Sequence, residues 1–303
     1  MRIPGRDFIG YAGTPPHARW PEAARVAVNF CLNYEDGAEL CILNGDDRSE
    51  TRLSDVATET RIGSRDLTIE SSYEYGARVG YWRLMRAFTE RRLPCTVNLV
   101  GVAAEANPLA VADMVKAGFD LQLHGWRWID QASLCEEVER DHIQRQVVMA
   151  AGLTGALPLG YHAGLPSINT RRLLVEAGTF LYDSDVCNDD LPYWSADYPG
   201  HLLVPSAPDT SDSRFARTDG AFRLGGDFAT YVCDSFDQLH AEGARRPQMM
   251  TVDLHPRLLG RPGRIGALHR ILDHMMARPD VWICRRGDLA EHWAREFPDP
   301  RLR

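Results

Sequence analysis

Two adjacent carboxylates, Glu35 and Asp36, close the apolar run Val26-Ala27-Val28-Asn29-Phe30-Cys31-Leu32-Asn33-Tyr34 and are followed at once by Gly37. An apolar run that stops on an acid pair is the pattern of a buried parallel strand delivering charge to the catalytic edge of an α/β sheet. Such a pair is costly there unless it moves protons or holds a cation. Neighbours on a strand point to opposite faces, but a chain that turns at Gly37 lets both side chains reach one pocket. Two more apolar runs end in the same manner. Phe119-Asp120-Leu121-Gln122-Leu123 ends on His124-Gly125, and Met249-Met250-Thr251-Val252-Asp253-Leu254 ends on His255-Pro256. An acid pair and two histidines on three strand ends make a candidate hydrolytic site, with a carboxylate to activate water and histidines that exchange protons near neutrality. The plainer alternatives are a solvated acidic turn and hydrogen-bonded core histidines.

The elements that must position these groups alternate along the chain. Strands are expected at 26–34, 95–100, 119–123, 159–162, 181–183, 202–204, 249–254 and 281–284. Helices are expected at 81–92, 109–117 (opened by Pro108 and closed by Gly118), 133–151, 169–177, 234–242, 265–277 and 287–296. Strand and helix in alternation imply a parallel sheet wound by right-handed crossovers, with closure into a barrel. No composition break divides residues 1–303, so one catalytic domain is expected, with residues 1–25 as an N-terminal arm. Residues 39–73 and 198–227 read as long polar loops, of the kind that serve as lids, binding walls or subunit contacts.

The ordered set Asn33-Tyr34-Glu35-Asp36-Gly37, His124-Gly125-Trp126-Arg127-Trp128, Asp183-Ser184-Asp185 with Asp189-Asp190-Leu191-Pro192-Tyr193-Trp194, and Leu254-His255 resembles the polysaccharide deacetylase (NodB-like) superfamily. Gly260-Arg261-Pro262-Gly263-Arg264 and Asp7-Phe8-Ile9-Gly10-Tyr11 resemble its allantoinase-like and cyclic-imide-hydrolase-like branch, so the likeness runs over nearly the whole chain. The resemblance implies a distorted (β/α) barrel of about seven parallel strands. It implies Glu35 as the base that activates water, Asp36 as a catalytic-site carboxylate and potential ligand of a divalent metal, and His255 as the group that protonates the leaving nitrogen. His124, Trp126, Trp128, His162 and Asp185 are the expected substrate-binding residues. Of the acidic cluster Asp183, Asp185, Asp189 and Asp190, the rest would pair with arginines or cap helices.

Two departures from that family bear on the substrate. Metal-binding members carry a second histidine four residues after the one matched by His124; here that position is Trp128, which cannot ligate. Asp36 and His124 alone fall short of the three protein ligands a catalytic zinc normally has, unless His162 joins them. The allantoinase-like pattern also has an arginine, paired with the acid or the substrate, where Leu165 stands, and a tyrosine where His162 stands. His162 is then a donor facing Glu35, a third metal ligand or an exposed loop residue. An N-acetyl sugar expels a basic amine and gains much from a metal, whereas a cyclic imide or ureide expels a nitrogen whose charge a second carbonyl delocalises. Trp128, able to stack on a flat ring, favours the second substrate class, although Trp126 and Trp128 fit core packing equally. The expected activity is therefore hydrolysis of a non-peptide carbon-nitrogen bond in a cyclic ureide, hydantoin or imide, with no cofactor. The alternatives are a metal-dependent deacetylase of an amino sugar or acylated small molecule, using zinc on Asp36, His124 and His162, and a catalytically weak small-molecule-binding protein.

A net charge of -8 over 303 residues disfavours nucleic acid and anionic membranes as partners. No apolar stretch has the length of a signal core or a membrane span, so a cytoplasmic location is expected, with a small cyclic amide as substrate and self-association into a homo-oligomer. The seven cysteines form no Cys-x-x-Cys pair and read as reduced thiols filling apolar positions, Cys187 included.

Overall fold

A computed structural model describes residues 6–217 and 221–302. Nine strands among them build one sheet: β1 (Val26–Tyr34), β2 (Thr96–Leu99), β3 (Asp120–Leu123), β4 (Gly160–Tyr161), β5 (Tyr182–Asp183), β6 (Tyr193–Trp194), β7 (Leu202–Leu203), β8 (Gln248–Leu254) and β9 (Val281–Cys284). Their order is β6-β7-β5-β4-β3-β2-β1-β8, and β9 lies along the first half of β1. All pairings are parallel except that of β6 with β7. The helices are α1 (Leu67–Tyr75), α2 (Tyr81–Thr89), α3 (Gly101–Ala106), α4 (Pro108–Lys116), α5 (Glu136–Thr154), α6 (Thr170–Ala177), α7 (Gly225–Gly243), α8 (Pro256–Leu259), α9 (Pro262–Met276) and α10 (Arg286–Glu296). This is an α/β fold with a curled, mostly parallel sheet, consistent with a distorted NodB-like (β/α) barrel. It has nine strands among the described residues, one more than the eight read from the sequence. The unforeseen one, β6, is two residues long and shows no periodicity to read.

β1 is the axis of the sheet. All nine of its residues are buried, as a strand covered on both faces requires, and it pairs with β8 over Val26–Leu32 and with β2 over Cys31–Tyr34. The polar side chains on these strands find partners inside. Asn33 donates to the Leu254 carbonyl and accepts from Asn98, and Asn29 donates to the Met250 carbonyl. Arg286, 1 % exposed, donates to Ser184, Asn29, Thr251 and the carbonyls of Val204 and Pro205, so this buried cation is held by neutral acceptors.

Several helix ends follow local chemistry legible in the chain. The Asn107 side chain caps α4 ahead of Pro108, and Gly118, Gly155 and Gly178 take positive φ just beyond α4, α5 and α6. The two expected long loops are shorter than read. α1 begins at Leu67, where the Asp66 carboxylate accepts from the N–H groups of Thr68 and Ile69; its serine- and glutamate-rich sequence hides the buried stripe of Ile69, Ser72 and Tyr73. The stretch 198–227 contains β7 and the start of α7, whose opening Gly225-Gly226 has poor intrinsic helix propensity. α7 therefore starts nine residues earlier than its expected bound at 234. A five-residue π-helical segment, Gly76–Gly80, joins α1 to α2.

The described part of the arm packs on its own chain. The Trp20 indole donates to the Gln248 carbonyl and contacts Trp282, His292 and Trp293. Among the cysteines, all seven are free; Cys31, Cys41, Cys95 and Cys284 are buried, whereas Cys135 and Cys187 are exposed, so the expectation that Cys187 fills an apolar position is corrected. Among the described residues no helix is long and apolar enough to cross a membrane.

Candidate active site

The C-terminal ends of β1, β3, β4, β5 and β8 converge. Glu35, Asp36 and His124 are buried, and so is His255. Glu35 lies at the crossing of the set: Oε2 is 3.3 Å from His124 Nε2, and Oε1 is 2.5 Å from Arg257 Nη2 and 3.7 Å from His255 Nε2. Asp36 receives Arg257 Nη1 on Oδ1 at 3.1 Å, and its Oδ2 is buried without a hydrogen bond. That second oxygen faces Gly76, where any Cβ would stand 2.2 Å away, so the π-helical glycine makes room for the carboxylate.

Arg257, two residues beyond His255 in α8, is the cation of this site, and the motif reading missed it. It donates Nε to the Leu53 carbonyl at 2.7 Å and stacks over the Tyr73 ring at 4.3 Å. Trp128 lies under the same guanidinium at 5.2 Å and against Tyr73. Arg257 thus pairs with the acids, the kind of contact that the resemblance implied for an arginine at the Leu165 position. Leu165 is 38 % exposed and offers only its carbonyl, to Gln131.

Asp212 was also missed, within the stretch read as a polar loop. It accepts the His255 backbone N–H at 2.8 Å and lies 2.6 Å from Nδ1, fixing the ring so that Nε2 faces Glu35. No local pattern announces either residue; Asp212 is one acid among several in its loop.

His162 does not reach Glu35 by any hydrogen bond among the described residues. Its ring stacks on His124 at 5.0 Å and 12°, its carbonyl contacts His124 Nδ1, and its own Nδ1 lies 3.0 Å from Asp185 Oδ1, out of line for a hydrogen bond. Asp185 accepts the N–H groups of Ala163 and Gly164 and so shapes this turn. Asp183 binds Arg171 and His201, and Asp189 accepts from the N–H groups of Asp190 and Leu191; both serve the scaffold. Trp126 packs over Gly101, carries Arg145 on its face at 4.0 Å and lines a separate hollow of about 470 Å³ with Arg127 and His142. The expected substrate stacking on Trp126 and Trp128 is corrected: both rings are occupied by arginines.

The electrostatics separate the two acids. Burial would push Glu35 up, but Arg257, His124 and His255 together hold it down at about 2. Burial pushes Asp36 up, Glu35 beside it adds to this, and Arg257 offsets only part, leaving it at about 7. For His255 burial acts downward, yet Asp212 and Glu35 outweigh it and raise the imidazole above its ordinary value. The arrangement sets an ionised acid next to a histidine that holds its proton more tightly than a free imidazole.

Asp212→Asn is expected to lower turnover by roughly 10²-fold or more, by freeing the His255 tautomer, and to move the alkaline fall of the rate to lower pH, since the raised proton affinity of His255 depends on Asp212. A pH-rate profile checks this; an unmoved alkaline limb with wild-type turnover would remove Asp212 from the site.

As a metal shell the donors fit poorly. Asp36 commits one oxygen to Arg257 and turns the other to glycine, His124 faces Glu35, and among the described residues no group of three or more His, Cys, Asp or Glu side chains is placed to hold an ion.

Comparison with known proteins defines the class. Residues 63–175 match the polysaccharide deacetylase family. A Schizosaccharomyces pombe protein that carries the family's name is 36 % identical over 97 % of this chain and 98 % of its own length. The chain belongs to the polysaccharide deacetylase family, and it is a hydrolase of that family. Two solved structures are similar throughout. A Pseudomonas aeruginosa PAO1 protein, also carrying the polysaccharide deacetylase name, is 45 % identical over 97 % of this chain and 99 % of its own, with a TM-score of 0.94. The PuuE allantoinase is 44 % identical over 98 % and 99 %, with a TM-score of 0.95.

Proposed function

We propose that this hydrolase opens a cyclic ureide, hydantoin or imide ring without a metal. The observation that carries the reading is Arg257 bound to both Glu35 and Asp36: a permanent, fully buried cation occupies the carboxylates that a metal would need. The similarity to an allantoinase over nearly the full length of both chains supports the choice of a ureide ring.

In this reading Glu35 takes a proton from water and the water oxygen attacks a ring carbonyl carbon. The carbon-nitrogen bond breaks, and the departing nitrogen takes the proton of His255 Nε2. Arg257 and the two histidines make Glu35 a weak base at rest, so the proton it accepts must move on. His255 Nε2, 3.7 Å away and emptied by the leaving group, is the receiving atom, which returns both residues to their starting forms. Asp36 and Tyr73 hold Arg257, and His124 orients the outer oxygen of Glu35.

A hydrolysis screen over allantoin, hydantoins, dihydropyrimidines, succinimide and N-acetyl sugars, with and without chelator, tests the proposal. The purified protein is expected to hold clearly less than one equivalent of transition metal and to keep ring opening after chelation. Stoichiometric metal with chelator-sensitive turnover, restored by added metal, would replace this reading with metal-dependent deacetylation. That second reading has in its favour the names of two relatives and the unpartnered Asp36 Oδ2, and it requires Asp36 to leave Arg257.

A further inference from the structure

Thr251, Asp253 and His255 follow one another at a spacing of two at the end of β8, and alternation along a strand sends all three to the same face. Thr251 faces the interior, where its hydroxyl meets Asn29 and Arg286, and His255 faces Glu35. Asp253 lies between them on the floor of the site, partly buried, with His162, His255, Arg286 and Asp212 as its charged neighbours.

Most of the donors beside Asp253 are turned to other partners. The N–H groups of Arg286 go to Ser184, Asn29, Thr251, Val204 and Pro205. His162 turns Nδ1 to Asp185, and His255 turns Nδ1 to Asp212. Among the described residues the Asp253 side chain accepts no hydrogen bond, yet it retains open surface, unlike the fully enclosed Asp36. Burial pushes its carboxyl up, opposed by His162, Arg286 and His255. A partly buried acid without a protein donor is costly unless a donor arrives from outside.

The geometry points to Asp253 as a specificity residue that accepts a hydrogen bond from an N–H of the substrate, and so selects rings with a free urea or amide N–H over rings lacking one. This rests on the ring-opening reading and narrows it. A carboxyl between His162 and His255 can bind a urea nitrogen while the adjacent carbonyl carbon lies before Glu35. A ring alkylated at that nitrogen leaves the acid unpaired and a methyl group against it, which is the asymmetry that makes polar recognition selective.

The test compares wild type with Asp253→Asn and Asp253→Ala on hydantoin, 1-methylhydantoin and 3-methylhydantoin. Binding of the same rings is measured by calorimetry in the Glu35→Gln background, with and without Asp253→Asn. Wild type is expected to prefer hydantoin over at least one methylated ring by tenfold or more in kcat/KM. Asp253→Asn and Asp253→Ala are expected to raise KM for hydantoin at least tenfold, leaving the disfavoured methylated ring within about twofold of wild type. Equal losses on all three rings, or no loss on any, with the melting temperature unchanged, overturn the role of Asp253 and leave ring opening standing. A wild type that neither opens nor binds any of these rings overturns both.

Discussion

Glu35→Gln is expected to abolish measurable ring opening, a loss of at least 10²- to 10⁴-fold, while the protein keeps its fold. The amide matches the carboxyl in shape, its oxygen can still accept from Arg257, and Asp36 remains as the arginine's counter-charge, so the fold is kept at some cost in melting temperature. It cannot take a proton from water or return one across the 3.7 Å to His255 Nε2. Folding and chemistry are thus separable in this variant: melting temperature reads the first, single-turnover hydrolysis the second. Retained turnover with unchanged melting would exclude Glu35 as the base, and His124 would be the next residue to test.

The second large effect is on stability. Arg257→Met is expected to destabilise the protein by about 3–5 kcal/mol, the usual result of removing one partner from a fully buried ion pair. Arg257 is 1 % exposed, Glu35 is fully buried and Asp36 is 3 % exposed, so neither carboxylate can recover water. The pH dependence has a definite sign. Glu35, held at about 2 against an ordinary 4.5, contributes stability that is present above about 4.5 and lost as pH falls towards 2. Asp36, raised to about 7 from 3.8, acts oppositely and costs stability as pH rises between those values. Without Arg257 both carboxyls are pushed up by burial, and each becomes a cost at neutral and alkaline pH that protonation relieves. The Arg257→Met deficit in denaturant melts should therefore be larger at pH 8 than at pH 5. A deficit below 1 kcal/mol, or one independent of pH, would show that the two acids do not depend on this guanidinium.

Trp128 shows how a motif position changes meaning in three dimensions. In sequence it is the absent second histidine of a metal site and a candidate stacking surface for a flat ring. In the fold its indole, 8 % exposed, lies under Arg257 with Tyr73 alongside, so the residue that replaces a ligand also supports the cation that occupies the carboxylates. Trp128, Tyr73 and Arg257 thus form one packed unit against the acid pair.

The amino-acid sequence by itself determined the strand ends. Apolar runs closing on Glu35-Asp36, His124 and His255 are local patterns, because a strand buried on both faces must be apolar and its charge must wait for the edge. The same logic brought out the alternation of strands and helices, and with it the α/β class. What only the tertiary structure decided were pairings between distant segments: Arg257 with Glu35, 222 residues apart, and Asp212 with His255, 43 apart. One arginine among many, or one acid in a loop of acids, carries no mark of its partner in sequence. Its role is set when the crossovers of the sheet bring β1, β3 and β8 together, exclude water, and leave each buried charge dependent on the few partners within reach.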